Sequence, residues 1–174
     1  MRSSSVSNIT GIIFIILGIL SIIYPLYSSL GVEVFFGALF LFGGIFHLFG
    51  AFEKKHNENY IWNFAVGVFY ILAGVYLLGN PIGGLLSLTV VLIILFYIQG
   101  ILTVFYGFYQ RNSTQTRAWI VFSGLITILI ATILLAAYPI SALWALGILI
   151  GVNLFMFGVS ILIVNRFADE IEKK

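Results

Sequence analysis

The sequence predicts an all-α polytopic membrane protein of six transmembrane helices, arranged as three tandem helical hairpins. Of its 174 residues, 61% are hydrophobic and 8% are charged, whereas a soluble domain carries about 25% charged residues. The only three prolines, Pro25, Pro81 and Pro139, lie 56 and 58 residues apart, and each separates two long apolar runs. Because lipid offers no hydrogen bonds, each run must bond its backbone within one helix.

Six spans follow from the charge-free stretches, since a spanning helix needs about 20 apolar residues. We place them near residues 9–24, 30–52, 61–79, 84–108, 118–137 and 141–164. Proline removes a backbone donor and turns the preceding residue out of the helical region, so the prolines mark the tight turns. The run from Ile9 lacks a small-residue cleavage site and matches the later repeats, so we expect it to belong to the fold rather than to a signal peptide.

The repeats predict one transmembrane domain over residues 1–174. Its units lie at about 8–55, 60–112 and 117–167, and a cytoplasmic tail follows at 168–174. Each unit is two helices long, so all three copies point the same way across the membrane. This arrangement predicts a pseudo-threefold relation about the membrane normal, unlike the inverted repeats of many transporters.

Small residues recur at fixed distances from the prolines and predict helix packing seams. In each unit the first helix carries small residues seven apart, and the second carries a stripe that starts eight residues after the proline. Small residues allow close backbone approach, which drives helix association in lipid. The first-helix positions are Gly11 and Gly18, Gly67 and Gly74, and Gly124 and Ala131. The second-helix packing residues are Gly37, Gly44, Gly100, Gly107, Gly147, Gly151 and Gly158.

These glycines and prolines resemble the pattern of the HdeD-like family of small membrane proteins, which are built from short two-helix repeats. The resemblance runs from Asn8 to about Phe167, with Ala131 and Ile93 as departures from the glycine pattern. It implies a protein of the cytoplasmic membrane that is associated, in enteric bacteria, with acid resistance. It implies no catalytic or binding residues.

Cations fall on one side of the predicted arrangement. The positive-inside rule therefore places both termini in the cytoplasm and the chain in the cell membrane as a multi-pass protein. Glu33 is the only charge expected on the other side. The eight cations are Arg2, Lys54, Lys55, Arg111, Arg117, Arg166, Lys173 and Lys174.

Glu33 is the first candidate for a functional polar residue within the membrane. One interpretation is a carboxylate at the outer interface, favoured by the dipole at the start of its helix. The other uses its place on the glycine stripe, four residues before Gly37. There we expect a partly buried carboxylate to take up a proton under external acid and to act as an acid-sensing contact.

The remaining candidate polar residues are His47, Gln99 and Asn153. We expect His47, near the inner interface, to cap a helix or to extend its ring towards water. Gln99 shares a helix face with Thr103, and Asn153 shares one with Ser160. We expect these groups to hydrogen-bond across helices, and the alternative is a sparse polar path for a small solute.

No motif in the chain points to a reaction, so we expect no enzyme, no cofactor and no metal site. There are no cysteines, and no acid–base pair is apparent. We expect a non-enzymatic membrane protein that serves acid or envelope stress resistance through helix packing and oligomerisation. The alternative is a small-solute or proton-coupled transporter or channel. The expected partners are the lipid bilayer and further copies of the chain, but not nucleic acid.

Overall fold

The chain is helical throughout its described part. The structure, a computed structural model, describes the backbone of residues 2–53, 60–109 and 114–172, and the side chains of residues 8–52, 60–109 and 115–166. The predicted all-α class is confirmed for these residues. The helices are α1 (Arg2–Ile23), α2 (Pro25–Glu53), α3 (Tyr60–Gly79), α4 (Pro81–Tyr109), α5 (Thr114–Ala136) and α6 (Ala145–Glu172), with a short 3-10 helix at Ile140–Leu143.

Five of these helices, α2 to α6, are long and apolar enough to cross a membrane. The apolar part of α1, Asn8–Ile23, is shorter and rises only about 24 Å, against a hydrocarbon core of about 30 Å. The polar residues at the start of α1 extend this helix to 22 residues. The chain is therefore a multi-pass membrane protein.

The first two prolines begin helices rather than stand in loops. α2 starts at Pro25 and α4 at Pro81, each with a single residue between it and the end of the preceding helix. The predicted starts at residues 30 and 84 were therefore too late, because proline suits the first helical position, where its missing N–H has no helical partner. The Asn80 side chain caps α4 by accepting a hydrogen bond from the Gly83 N–H at 3.1 Å.

The third hairpin has a longer turn than the first two. A cis peptide joins Tyr138 to Pro139, the 3-10 helix follows, and α6 begins at Ala145 rather than near the predicted residue 141. The buried Ser141 hydroxyl donates a hydrogen bond to the Leu134 carbonyl at 2.8 Å. That carbonyl lies in the last turn of α5, where no helical N–H remains to meet it.

The chain divides into two compact units. The first comprises Met1–Phe35 and Leu143–Lys174, and the second comprises Phe36–Ala142. In the first unit α1 packs along α6, and in the second α4 packs along α5. The single domain over 1–174 and its pseudo-threefold relation stay predictions.

Large apolar side chains lie mostly on the outside of the helices, and small residues lie between them. Phe46 and Phe105, for example, are 75% and 69% exposed, whereas Ala51 and Ala131 are fully buried. A water-soluble protein has the reverse arrangement. This surface is suited to contact with lipid chains. The buried small and polar residues are therefore the candidates for a specific function.

Candidate functional site

Glycines bring α1 and α6 into backbone contact in the first unit. A Cβ on Gly18 would lie 2.6 Å from the Phe155 nitrogen, and one on Gly158 would lie 2.6 Å from the Gly11 carbonyl oxygen. The two helices run antiparallel, since Gly11 meets Gly158 while Gly18 meets Gly151. No side chain fits at these positions, so the contact depends on glycine.

The same arrangement joins α2 to α3 in the second unit. A Cβ on Gly44 would lie 2.9 Å from the Gly67 carbonyl oxygen, and one on Gly74 would lie 2.9 Å from that of Gly37. This pair is also antiparallel. Each predicted packing residue of α2 thus faces a first-helix glycine of the next repeat.

Between α4 and α5 the glycine contact is less regular. A Cβ on Gly100 would lie 3.0 Å from the Gly124 carbonyl oxygen, and one on Gly107 would lie 2.7 Å from a Val121 methyl group. Ala131 takes the position of the second glycine and is fully buried.

Gly147 is a junction of three helices in the first unit. Its N–H donates a hydrogen bond to the Ser29 hydroxyl of α2 at 2.8 Å. Its carbonyl accepts one from the Ser21 hydroxyl of α1, also at 2.8 Å. A Cβ on Gly147 would collide with the Pro25 carbonyl. Because the first N–H groups of a helix have no helical partner, Ser29 caps α6 from a neighbouring helix.

Glu33 lies one turn beyond Ser29 on the same face of α2 and is fully buried. Neither of its carboxylate oxygens has a hydrogen-bond partner in the described part of the chain. Since α2 starts at Pro25, Glu33 lies about 12 Å into the helix. The dipole acts within the first turn, so the start of α2 does not stabilise Glu33 as expected, whereas its position at the outer interface stays a prediction.

Thr89 occupies the same position in the second repeat, eight residues after its proline. It is fully buried, and its hydroxyl also lacks a partner among the described residues. Buried polar atoms without hydrogen-bond partners are rare in folded proteins, and each one needs a specific structural or functional reason. The stripe position after the proline therefore carries an unpartnered polar side chain in two of the three repeats.

His47 packs against an aromatic ring instead of capping a helix. Its ring centroid lies 5.4 Å from that of Tyr70 on α3, at an interplanar angle of 87°. It lies six residues before the end of α2, too far in to cap it. His47 also lines a shallow cavity of about 220 Å³ with Phe46, Gly50 and Asn63.

The other predicted polar residues do not bond across helices. The Asn153 amide donates to the Leu149 carbonyl at 2.8 Å, and the Thr103 hydroxyl donates to the Gln99 carbonyl at 2.7 Å. Both acceptors lie one turn earlier on the same helix, a bond that needs no neighbour. Ser160 bonds Met156 in the same way. The expectation of interhelical bonds from Asn153 and Thr103 is therefore wrong.

Ser21 and Ser29 belong to the site, although the sequence pattern did not single them out. The signal was present, because Ser29, Glu33 and Gly37 follow one another at steps of four residues and so share one helix face. Ser21 lies three residues after the seam glycine Gly18. Extending the stripe of Glu33 and Gly37 by one step of four residues towards Pro25 identifies Ser29. The partner of Ser21 cannot be identified in this way, because it depends on the contact between α1 and α6.

Comparison with known proteins agrees with the internal repeat. Residues 9–79 and 65–136 each match the model of a short repeat of unknown function, DUF308. The two matches start as far apart as Pro25 and Pro81. Each match contains a complete second helix, the whole first helix that follows it and most of the first helix that precedes it. No solved structure matches the chain significantly.

Curated relatives carry the name that the glycine and proline pattern suggested. Protein HdeD of Escherichia coli strain K12 is 26% identical over 152 residues, which cover 86% of this chain and 80% of the relative. The proteins of the same name from Escherichia coli O157:H7 and Shigella flexneri match to the same extent. The resemblance to HdeD-like proteins is confirmed, and the chain belongs to the DUF308 family of short-repeat proteins.

Proposed function

We propose that this chain is a non-enzymatic membrane protein of the HdeD type that serves acid or envelope stress resistance through helix packing and self-association. The observation that carries the proposal is Glu33, a fully buried carboxyl group without a partner. Ionisable groups inside a membrane are costly and most often functional. The ligand such a group takes most simply is a proton.

The surroundings of Glu33 support proton binding rather than ion pairing. The Ser29 hydroxyl, one turn before Glu33 on α2, accepts the Gly147 N–H, and the Ser21 hydroxyl donates to the Gly147 carbonyl. The other titratable side chains among the described residues of the first unit are Tyr24, Tyr27 and Arg166. Both tyrosines are exposed, and Arg166 lies near the far end of α6. Uptake of a proton would thus change the charge of a buried seam.

The proposed location is the cytoplasmic membrane with both termini inside. The asymmetry of the cations along the sequence supports it. The side chains of Arg2, Lys54, Lys55, Arg111, Lys173 and Lys174 lie outside the described residues, as does His56. Of the two described cations, Arg117 donates a hydrogen bond to the Phe108 carbonyl at 3.0 Å and so caps the end of α4.

The transport alternative has less support. A solute path needs polar groups that converge on one cavity, whereas Gln99 is exposed and the Asn153 amide bonds its own helix. It stays a prediction. Single cysteines introduced near the middle of the spans test it by their labelling from water. If none of these cysteines is labelled, the result counts against a solute path.

The test is survival of a strain that lacks the protein after acid challenge, with complementation by the wild type, by Glu33→Gln and by Thr89→Val. We expect deletion to lower survival, the wild type and Thr89→Val to restore it, and Glu33→Gln to fail. Glu33→Gln keeps the size of the side chain but removes its titration. Thr89→Val is the matched control, since it removes a second buried side-chain oxygen that lacks a partner among the described residues.

Membrane levels of each variant are measured beside survival, so that loss of the protein is not read as loss of function. If deletion leaves survival unchanged, the stress role fails for this chain. If Glu33→Gln restores survival fully, the role stands but Glu33 is not its proton-binding group.

A further inference from the structure

Gln99 differs from the other exposed polar side chains near the middle of the described spans. Asn153, Ser123 and Ser160 each donate to a carbonyl of their own helix. The Gln99 amide is exposed and makes no hydrogen bond with the described residues. A primary amide brings two donors and an acceptor, and leaving them unpaired in an apolar medium is unfavourable.

Its position near the middle of α4 places Gln99 away from the water and the headgroups at the two ends of the span. Gln99 lies four residues from the midpoint of α4 (Pro81–Tyr109), which is about 6 Å along the axis. Half the hydrocarbon core is about 15 Å, so in a bilayer centred on α4 the amide lies inside the core. A polar partner within the membrane would therefore stabilise the amide.

Large apolar side chains surround the amide on the same helix face. They lie at the three- and four-residue steps by which one helix packs along another. We name this surface the Gln99 face, and it consists of Leu95, Ile98, Gln99, Leu102 and Tyr106, whose apolar members are each at least 50% exposed.

We propose that the Gln99 face is the contact between two copies of this chain, with their Gln99 amides hydrogen-bonded to each other. Two copies inserted with the same topology hold Gln99 at the same depth, so a twofold axis along the membrane normal brings the amides together. An amide is self-complementary, because its N–H₂ group can donate to the oxygen of the other. For an unrelated partner, a matching polar group at this depth would be a coincidence.

The dimer contact rests on the self-association that the proposed function includes. Cross-linking tests the contact, whereas survival after acid challenge tests the function, so either proposal can fail without the other. The chain has no cysteine, which makes single cysteines informative. The full chain is reconstituted in lipid vesicles with Leu102→Cys, and oxidative cross-linking is measured. Phe157→Cys, at an exposed site on α6, is the matched control.

We expect Leu102→Cys to give cross-linked dimers and Phe157→Cys to give none. Adding Gln99→Leu should lower the association constant about tenfold, in line with interhelical hydrogen bonds in model peptides. Adding Asn153→Leu should leave it unchanged, since that amide already donates to its own helix. Helix content by circular dichroism confirms that the variants fold.

Three outcomes overturn the proposal. Absence of cross-linking at Leu102→Cys in the otherwise unchanged chain shows that this face is not the contact. Undiminished dimerisation with Gln99→Leu shows that the amide does not hold it. Dimers that are lost with Asn153→Leu, but not with Gln99→Leu, place the contact on α6.

Discussion

At the scale of single residues, Gly147 shows why a glycine and two serines act together. The missing side chain lets the start of α6 approach Pro25, and that approach brings its N–H and carbonyl within reach of Ser29 and Ser21. Buried backbone groups must be paired somewhere. Ser29 therefore pairs an N–H group that the start of α6 cannot pair by itself, and Ser21 adds a second bond to the same residue.

Replacing Ser29 by alanine tests this requirement. We expect Ser29→Ala to lower the free energy of unfolding by about 1–3 kcal/mol, because the Gly147 N–H is left buried without an acceptor. Ser160→Ala is the matched control and should change it by less than about 0.5 kcal/mol, since this exposed hydroxyl bonds its own helix. Thermal unfolding in detergent, followed by circular dichroism, measures both. Equal effects would show that Ser29 does not cap α6.

At the scale of helices, the closest contacts do not lie within the predicted hairpins. α1 packs along α6, α4 along α5, and the glycines of α2 face those of α3. Each of the latter two pairs joins the second helix of one repeat to the first helix of the next. The DUF308 matches contain these two pairs whole. The glycine stripes predicted which faces are buried but not which helix covers them.

Glycine substitutions distinguish seam positions from open ones. Gly158→Ala would place a methyl group 2.6 Å from the Gly11 carbonyl oxygen. We expect the overpacking to cost about 1–3 kcal/mol of stability. Gly50→Ala, where a Cβ meets nothing within 4 Å, should change stability by less than about 0.5 kcal/mol. Thermal unfolding of the two purified variants checks this, and a loss at Gly50→Ala as large as at Gly158→Ala would contradict the seam.

At the scale of the whole molecule, most large apolar side chains are not buried by the protein itself. The lipid of the membrane therefore has to cover them. The exposed phenylalanine and leucine side chains along the helices are suited to contact with lipid chains, where exposing an apolar side chain carries no free-energy penalty. Orientation in that solvent depends on cations at the ends of the spans. Most of these cations lie outside the described residues. The proposed orientation of the chain in the membrane is therefore tested by labelling.

Single introduced cysteines measure the topology, since the chain has none of its own. We expect Tyr27→Cys, at an exposed site beside the first predicted outer turn, to react with a membrane-impermeant maleimide on intact cells. Asn57→Cys, in the predicted inner loop, should react only after the membrane is permeabilised. The opposite pattern of labelling would reverse the proposed orientation.

Composition and proline spacing alone predict the helices, and the glycine stripes predict their buried faces, because lipid allows few other ways to pair a backbone. The starts of α2 and α4 were misplaced by five and three residues, since a proline can either end one helix or begin the next. Which helix covers each stripe, the cap that Ser29 places on Gly147, and the complete burial of Glu33 became visible only in three dimensions. These features arise from contacts between segments far apart in the chain, and no local pattern records such contacts.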